Sequence, residues 1–224
     1  MNNLREILDK FHTPLTYPVY VPSFFKKDVE NTRISDFIKL TKTSELYSDN
    51  KTVWTRYKEN INIGLPVKKD FLVNLDLPLP LHLKSLLFRI ASEIVTKPTN
   101  WNVGLFWSEE KGSSLGSHFD DDEVYTIQIL GEKEWLVDDS NISYLKHLVS
   151  KKDVKPISSE SYFSSSETWV KNSKNELLFI NPKKIIMKPG DFLIIPSYAL
   201  HKVTTVSDME NLSINVGISR RDSF

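Results

Sequence analysis

A mainly β fold, a sandwich or jelly roll, is what this chain predicts, and three observations carry the expectation. From residue 100 onward the apolar spacing changes from a helical period to that of short strands. Turn signals such as Pro189-Gly190-Asp191 separate those strands, as two packed antiparallel sheets require. No repeat, Gly-rich phosphate loop or Gly-x-Ser-x-Gly elbow points to another architecture. At 224 residues and 25.9 kDa the chain fits one hydrophobic core, so residues 1–224 are read as one domain: a helical and extended part over 1–99, a β core over 100–218.

Leu4, Ile7, Leu8 and Phe11 stand at helical spacing and form one apolar stripe, and Pro14, Pro18 and Pro22 then force an extended connection. A short helix is expected around Ile34, Phe37 and Ile38. A longer one runs through Leu83, Leu86, Leu87, Ile90, Ala91 and Ile94 and stops before Pro98; its stripe should pack on a sheet. Eight strands follow, at Asn102 to Trp107, Val124 to Leu130, Glu134 to Val137, Leu177 to Ile180, Ile185 to Met187, Phe192 to Ile195, Val203 to Val206 and Leu212 to Ile218. Six of the nine residues from Ser158 to Ser166 are serine, so the stretch from about Ile157 to Asn175 reads as a mobile loop near the pocket mouth.

Composition narrows the function. Lys plus Arg and Asp plus Glu are equal at 29, and a neutral chain without a basic stripe argues against nucleic acid. The start, Met1-Asn2-Asn3-Leu4-Arg5-Glu6, is not an export signal, and no stretch has the ~18 apolar residues that span a bilayer, so no membrane partner is expected. The absence of cysteine removes disulfides, zinc-thiolate sites, iron–sulfur clusters and thiol catalysis, and makes the cytoplasm the default location. Any metal must be held by His and carboxylate.

Of five histidines, His118 has Asp120 two residues on, and in an extended segment both side chains project from one face. Val124, Thr126 and Gln128 continue the His118 parity toward a polar cavity; Tyr125, Ile127 and Ile129 make the apolar opposite face. His201, delivered by the turn and buried strand of Pro189 to Pro196, is the third candidate. Two His and one carboxylate leave three coordination positions open, the facial triad of non-haem Fe(II) oxygenases; zinc is the chemical competitor, but no general base for hydrolysis stands nearby. His12, His82 and His147 read as surface residues, Asp121, Asp122 and Glu123 as a solvated turn, and Trp135 and the other tryptophans as core or rim.

The run from His118-Phe119-Asp120 to Gly131-Glu132-Lys133-Glu134-Trp135 resembles the first motif of the JmjC/cupin-like 2-oxoglutarate oxygenases, and Pro189-Gly190-Asp191 through Pro196 to His201 resembles the second. The likeness is to ribosomal-protein hydroxylases and asparaginyl hydroxylases and covers about residues 100 to 218. It implies a double-stranded β-helix (jelly roll/cupin) with N-terminal helices packed on one sheet. It also implies Fe(II) held by His118, Asp120 and His201, with 2-oxoglutarate and O₂ as cosubstrates. Lys133 then binds the distal carboxylate of 2-oxoglutarate, 15 residues after His118, with Thr126 and Asn215 as further cosubstrate contacts. The expected activity is hydroxylation of an unactivated C–H in a peptide or protein segment. A small molecule or free amino acid is the alternative substrate, a non-catalytic cupin-like binding module the rival function. A cupin isomerase or dioxygenase independent of 2-oxoglutarate would want a His-x-His pair that is absent here.

Overall fold

Alternation of inward and outward side chains is the local rule that builds this molecule, a computed structural model that describes residues 15–33, 81–82, 85–86, 100–108, 111–112, 117–150 and 179–219. In chain order the elements are β1 (Val19–Val21), α1 (Lys26–Val29), β2 (Asn100–Ser108), β3 (Ser117–His118), β4 (Glu123–Leu130), β5 (Lys133–Asp138), α2 (Ile142–Ser150), β6 (Lys183–Met187), β7 (Phe192–Ile195), β8 (Leu200–Thr205) and β9 (Asn211–Ser219). They form two antiparallel sheets, a five-stranded one in the order β1-β7-β4-β9-β2 and a four-stranded one in the order β3-β8-β5-β6. From β2 onward consecutive strands alternate between the sheets except for the β5–β6 pair, which is the winding of a jelly-roll double-stranded β-helix. Among the described residues no helix is long and apolar enough to cross a membrane.

Register shows which residues meet inside. On the five-stranded sheet Thr126 lies opposite Leu193 and Asn215, and Gln128 opposite Ser213. On the four-stranded sheet His201 lies between His118 and Val137, Trp135 between Ile185 and Val203, and Lys133 between Met187 and Thr205. Lys133, Trp135 and Val137 are buried while Glu134 and Leu136 between them are partly exposed, so the first three face inward. Trp135, Val137, Val124, Leu193, Ile195, Met187 and Ala199 pack as one apolar cluster between the sheets.

The opposite face of the five-stranded sheet is covered by the segment leading into α1. Phe25 meets Phe192 edge-on with ring centroids 5.3 Å apart, and Tyr125 stacks on Phe192 at 6.3 Å. Asp191 ties that segment to the Pro189-Gly190-Asp191 turn by accepting from the Tyr20 hydroxyl (2.7 Å), the Ser23 N–H (2.7 Å) and the Lys188 N–H (2.8 Å). Burial and then the Asp191 carboxylate push the Tyr20 phenol up to about 12. Gly190 has φ +89°, and a Cβ there would lie 2.4 Å from Lys26 Cα. Gly190→Ala is therefore expected to lower stability by more than the ~1–2 kcal/mol of left-handed strain alone, because the clash is with backbone; thermal unfolding would measure it.

Asp138 organises the far end of β5. Its carboxylate, fully buried, accepts from the N–H groups of Ser140 (2.9 Å), Ile180 (2.5 Å) and Asn181 (2.9 Å). Burial alone would raise its pKa, but these bonds outweigh burial and hold it below the ordinary carboxylate value. A depressed folded-state pKa stabilises above the unfolded value of roughly 3.9, and that stabilisation is lost as pH falls through the folded value. Asp138→Asn is accordingly expected to cost about 1.5–3 kcal/mol at neutral pH, with the gap to the unaltered chain narrowing below about pH 4 in a pH series of denaturant titrations.

Several expectations shift. Phe179 and Ile180 are irregular rather than the end of a strand, because the Ile180 N–H is claimed by Asp138 instead of a sheet neighbour. The strand expected at Val203 begins at Leu200, extended by pairing with β3 and β5 on both sides. β1, β3 and α1 have two to four residues, too few for periodicity to show. The helices expected on the Leu4 and Ile34 stripes and the serine-rich loop lie outside the described residues; of the Leu83 helix, residues 85–86 are helical and Leu86 is buried.

Candidate metal centre and inner cavity

The separation of 83 residues between His118 and His201 is closed by a two-residue strand. β3 pairs antiparallel with β8, and the pair is His118 against His201, which sets their ring centroids 4.2 Å apart. Asp120 follows past the strand end, where its carbonyl accepts from the Tyr198 N–H at 2.7 Å. Tyr198 takes φ +66° to make that contact, and its ring stacks on Phe119 at 6.0 Å. The clamp draws the loop before β8 against the loop after β3, and Asp120 Oδ2 comes 3.5 Å from His201 Nε2. One ligand atom from each of His118, Asp120 and His201 lies within 4.8 Å of the other two.

The donor set fits a divalent cation. His201 Nδ1 lies 3.0 Å from the Ala199 carbonyl, which can only accept, so Nδ1 carries the proton and Nε2 presents its lone pair toward Asp120. Burial and then the neighbouring His118 push His201 well below the ordinary imidazole range, so it is neutral, as a ligand must be. Burial and then the charges of Asp122 and Asp121 push the Asp120 carboxyl well above its ordinary value. A bound cation would offset these penalties by pairing with the carboxylate and taking the lone pair of the neutral His201 imidazole.

Lys133 is interior, 3% exposed, and its ammonium crosses to the other sheet, donating to the Phe106 carbonyl (3.0 Å) and the Ser213 hydroxyl (3.1 Å). Thr126 Oγ1 and Asn215 Oδ1, facing partners on β4 and β9, are buried without a hydrogen-bond partner. The structure thus places Lys133, Thr126 and Asn215 on the inner faces with the three metal-ligand candidates. The surface reading of His82 and His147 also stands, His82 meeting Thr32 Oγ1 at 2.9 Å.

One reading of the sequence needs correction. Asp122 and Glu123 are buried rather than solvated: Glu123 accepts from the Leu15 N–H (3.2 Å) and the Tyr125 hydroxyl (2.8 Å), which ties the N-terminal segment to β4. Trp135 is a core residue, as the sequence suggested, and its indole also stacks on the His201 ring at 5.8 Å and 28°. Its position two residues from Lys133 was the available signal, because that spacing puts both on one face of a strand.

A family model described as the JmjC domain matches residues 82–223. The chain belongs to the JmjC domain family. A Dictyostelium discoideum protein named bifunctional lysine-specific demethylase and histidyl-hydroxylase NO66 is 22% identical over 193 residues, 86% of this chain and 32% of that protein, so this JmjC chain spans about a third of the relative's length. Among solved structures, Escherichia coli YcfD, a ribosomal oxygenase in complex with cobalt and succinic acid, matches with a TM-score of 0.39 and 16% identity over 63% of this chain and 29% of that one. A cupin 2 conserved barrel domain protein from Leptotrichia buccalis matches with a TM-score of 0.32 and 15% identity over 55% and 38%.

Proposed function

We propose that this JmjC chain is an Fe(II)- and 2-oxoglutarate-dependent hydroxylase that acts on a polypeptide side chain. The observation that carries the reading is the convergence of His118, Asp120 and His201 at one end of an inner face whose other end holds the buried Lys133. Two imidazoles and one carboxylate make the facial triad of non-haem Fe(II) oxygenases, and they leave coordination positions for other ligands. Iron bound there with a keto acid supplies the oxidising chemistry for an unactivated C–H.

The protein's own groups do the rest. Ala199 holds the His201 tautomer, Asp120 supplies the charge, and the Tyr198 contact keeps the loop carrying Asp120 in place. Lys133 neutralises the distal carboxylate of the cosubstrate, and the Thr126 hydroxyl and Asn215 amide supply polar contacts along it. Val124, Leu193, Ile195 and Val137, all buried, exclude water from the same space. A polypeptide substrate is supported by the resemblance to polypeptide hydroxylases and by the NO66 relative, whose name specifies lysine and histidyl residues.

The test supplies the protein with Fe(II), 2-oxoglutarate and O₂ and measures succinate with a peptide library and a panel of free amino acids. Succinate formation coupled to a 16 Da mass gain on a peptide is expected. Turnover of a free amino acid alone would reverse the substrate assignment, and metal binding with no succinate from any candidate would favour a binding module.

A further inference from the structure

The inner face of β5 reads Val137, Trp135, Lys133, and the partners of these residues on β8 are His201, Val203 and Thr205. Trp135 therefore occupies the rung between the metal-ligand candidates and the lysine. Its indole is 1% exposed and stacks on the His201 imidazole at 5.8 Å with a 28° tilt. The indole N–H can only donate, and here Nε1 is buried without an acceptor. Leaving such a donor unsatisfied costs free energy that an apolar ring of similar shape would avoid.

The opposite sheet matches this middle rung. Lys133 crosses to Ser213 and Phe106, whose row also holds Gln128; the next row toward the His118 end contains Thr126 opposite Asn215. Thr126 Oγ1 and Asn215 Oδ1 are also buried without partners. The layer between His201 and Lys133 thus holds three unused polar atoms, one on the four-stranded sheet and two on the five-stranded sheet. An apolar core needs none of them there.

We infer that Trp135 is a ligand-binding and positioning residue: its N–H donates to an oxygen of the dicarboxylate that spans from the metal centre to Lys133, while its ring fixes the plane of His201. The inference rests on the hydroxylase reading and assigns to that site a donor beyond Lys133, Thr126 and Asn215. A ligand reaching from the His201 rung to the Lys133 rung must pass this indole, and a carboxylate oxygen is the acceptor that the donor lacks. The stack and the N–H are separable, which makes the two roles distinguishable.

Trp135→Phe keeps an aromatic ring against His201 and deletes only the donor, and Trp135→Leu deletes both. Calorimetry on the Mn(II)-loaded full chain, with 2-oxoglutarate and with succinate as titrants, should show roughly 10-fold weaker dicarboxylate binding in Trp135→Phe with Mn(II) affinity unchanged. Trp135→Leu should weaken Mn(II) as well. Equal 2-oxoglutarate affinity in Trp135→Phe and the unaltered chain would overturn the inference while leaving the hydroxylase reading standing. Absence of 2-oxoglutarate binding by the unaltered chain would overturn both. Should Trp135→Phe not fold, the Trp135 indole N–H resonance of the unaltered Zn(II)-loaded protein decides: a downfield shift on adding 2-oxoglutarate is expected, and an unmoved resonance counts against the bond.

Discussion

His201→Ala is expected to weaken divalent-metal binding by more than the roughly 10–100-fold that follows loss of an outer-shell partner, because it removes a direct donor. Several contacts converge on His201: His118 faces it across β3 and β8, Asp120 approaches its Nε2 at 3.5 Å, Ala199 orders its tautomer and Trp135 stacks on it. An alanine also leaves a gap in a buried position, so some stability will be lost with the metal. Asp120→Asn separates the two effects, since it preserves the shape of the side chain and removes the charge. Both variants should fail to retain Mn(II) or Co(II) through equilibrium dialysis, whereas alanine at the exposed His147 should behave as the unaltered chain does. Wild-type affinity in Asp120→Asn would mean that the three groups meet for a structural reason.

The second large effect concerns Lys133. Lys133→Met matches the length of the side chain and removes its charge, so 2-oxoglutarate should bind roughly 30-fold more weakly or worse, equivalent to about 2 kcal/mol or more for a buried charge losing its partner. Metal affinity should not change, because Lys133 lies at the other end of β5 from the strand position opposite His201. The metal-free variant should still unfold cooperatively, because methionine occupies much the same volume as the buried lysine side chain. Calorimetric titration of the metal-loaded protein, with thermal unfolding of the metal-free form, measures both. Unchanged 2-oxoglutarate affinity would transfer the anion-binding role to another residue.

The residues that were legible in the sequence are those whose spacing carries geometry. His118 and Asp120 stand two apart, Val124, Thr126 and Gln128 alternate with Tyr125, Ile127 and Ile129, and the turn at Gly190 has the left-handed φ that glycine permits; each became a strand face or a corner as expected. The inward direction of Lys133 followed from the resemblance, and the structure shows its physical basis in the alternation of burial along β5. What escaped was set by contacts distant in sequence. Glu123 looks solvated in a run of acidic residues, yet it is buried because Leu15, 108 positions away, donates its N–H to it. Ile180 looks like a strand residue, yet Asp138, 42 positions away, takes its N–H. β3 is only two residues long, and its pairing with β8 is visible only once both motifs are folded together. Trp135 is core as read, an aromatic on an inner strand face being the ordinary way to fill a barrel, and only its unpaired N–H has no mark in the sequence.

One measurement bears most directly on the central claim that His118, Asp120 and His201 hold a single metal that a keto acid chelates. The protein is loaded anaerobically with Fe(II), titrated with 2-oxoglutarate and followed by visible absorption, with Asp120→Asn in parallel. A charge-transfer band that appears only with both metal and keto acid, saturates at one iron per chain, and is missing from Asp120→Asn is the expected result. Stoichiometric iron without the band, or the same band in Asp120→Asn, would contradict the account.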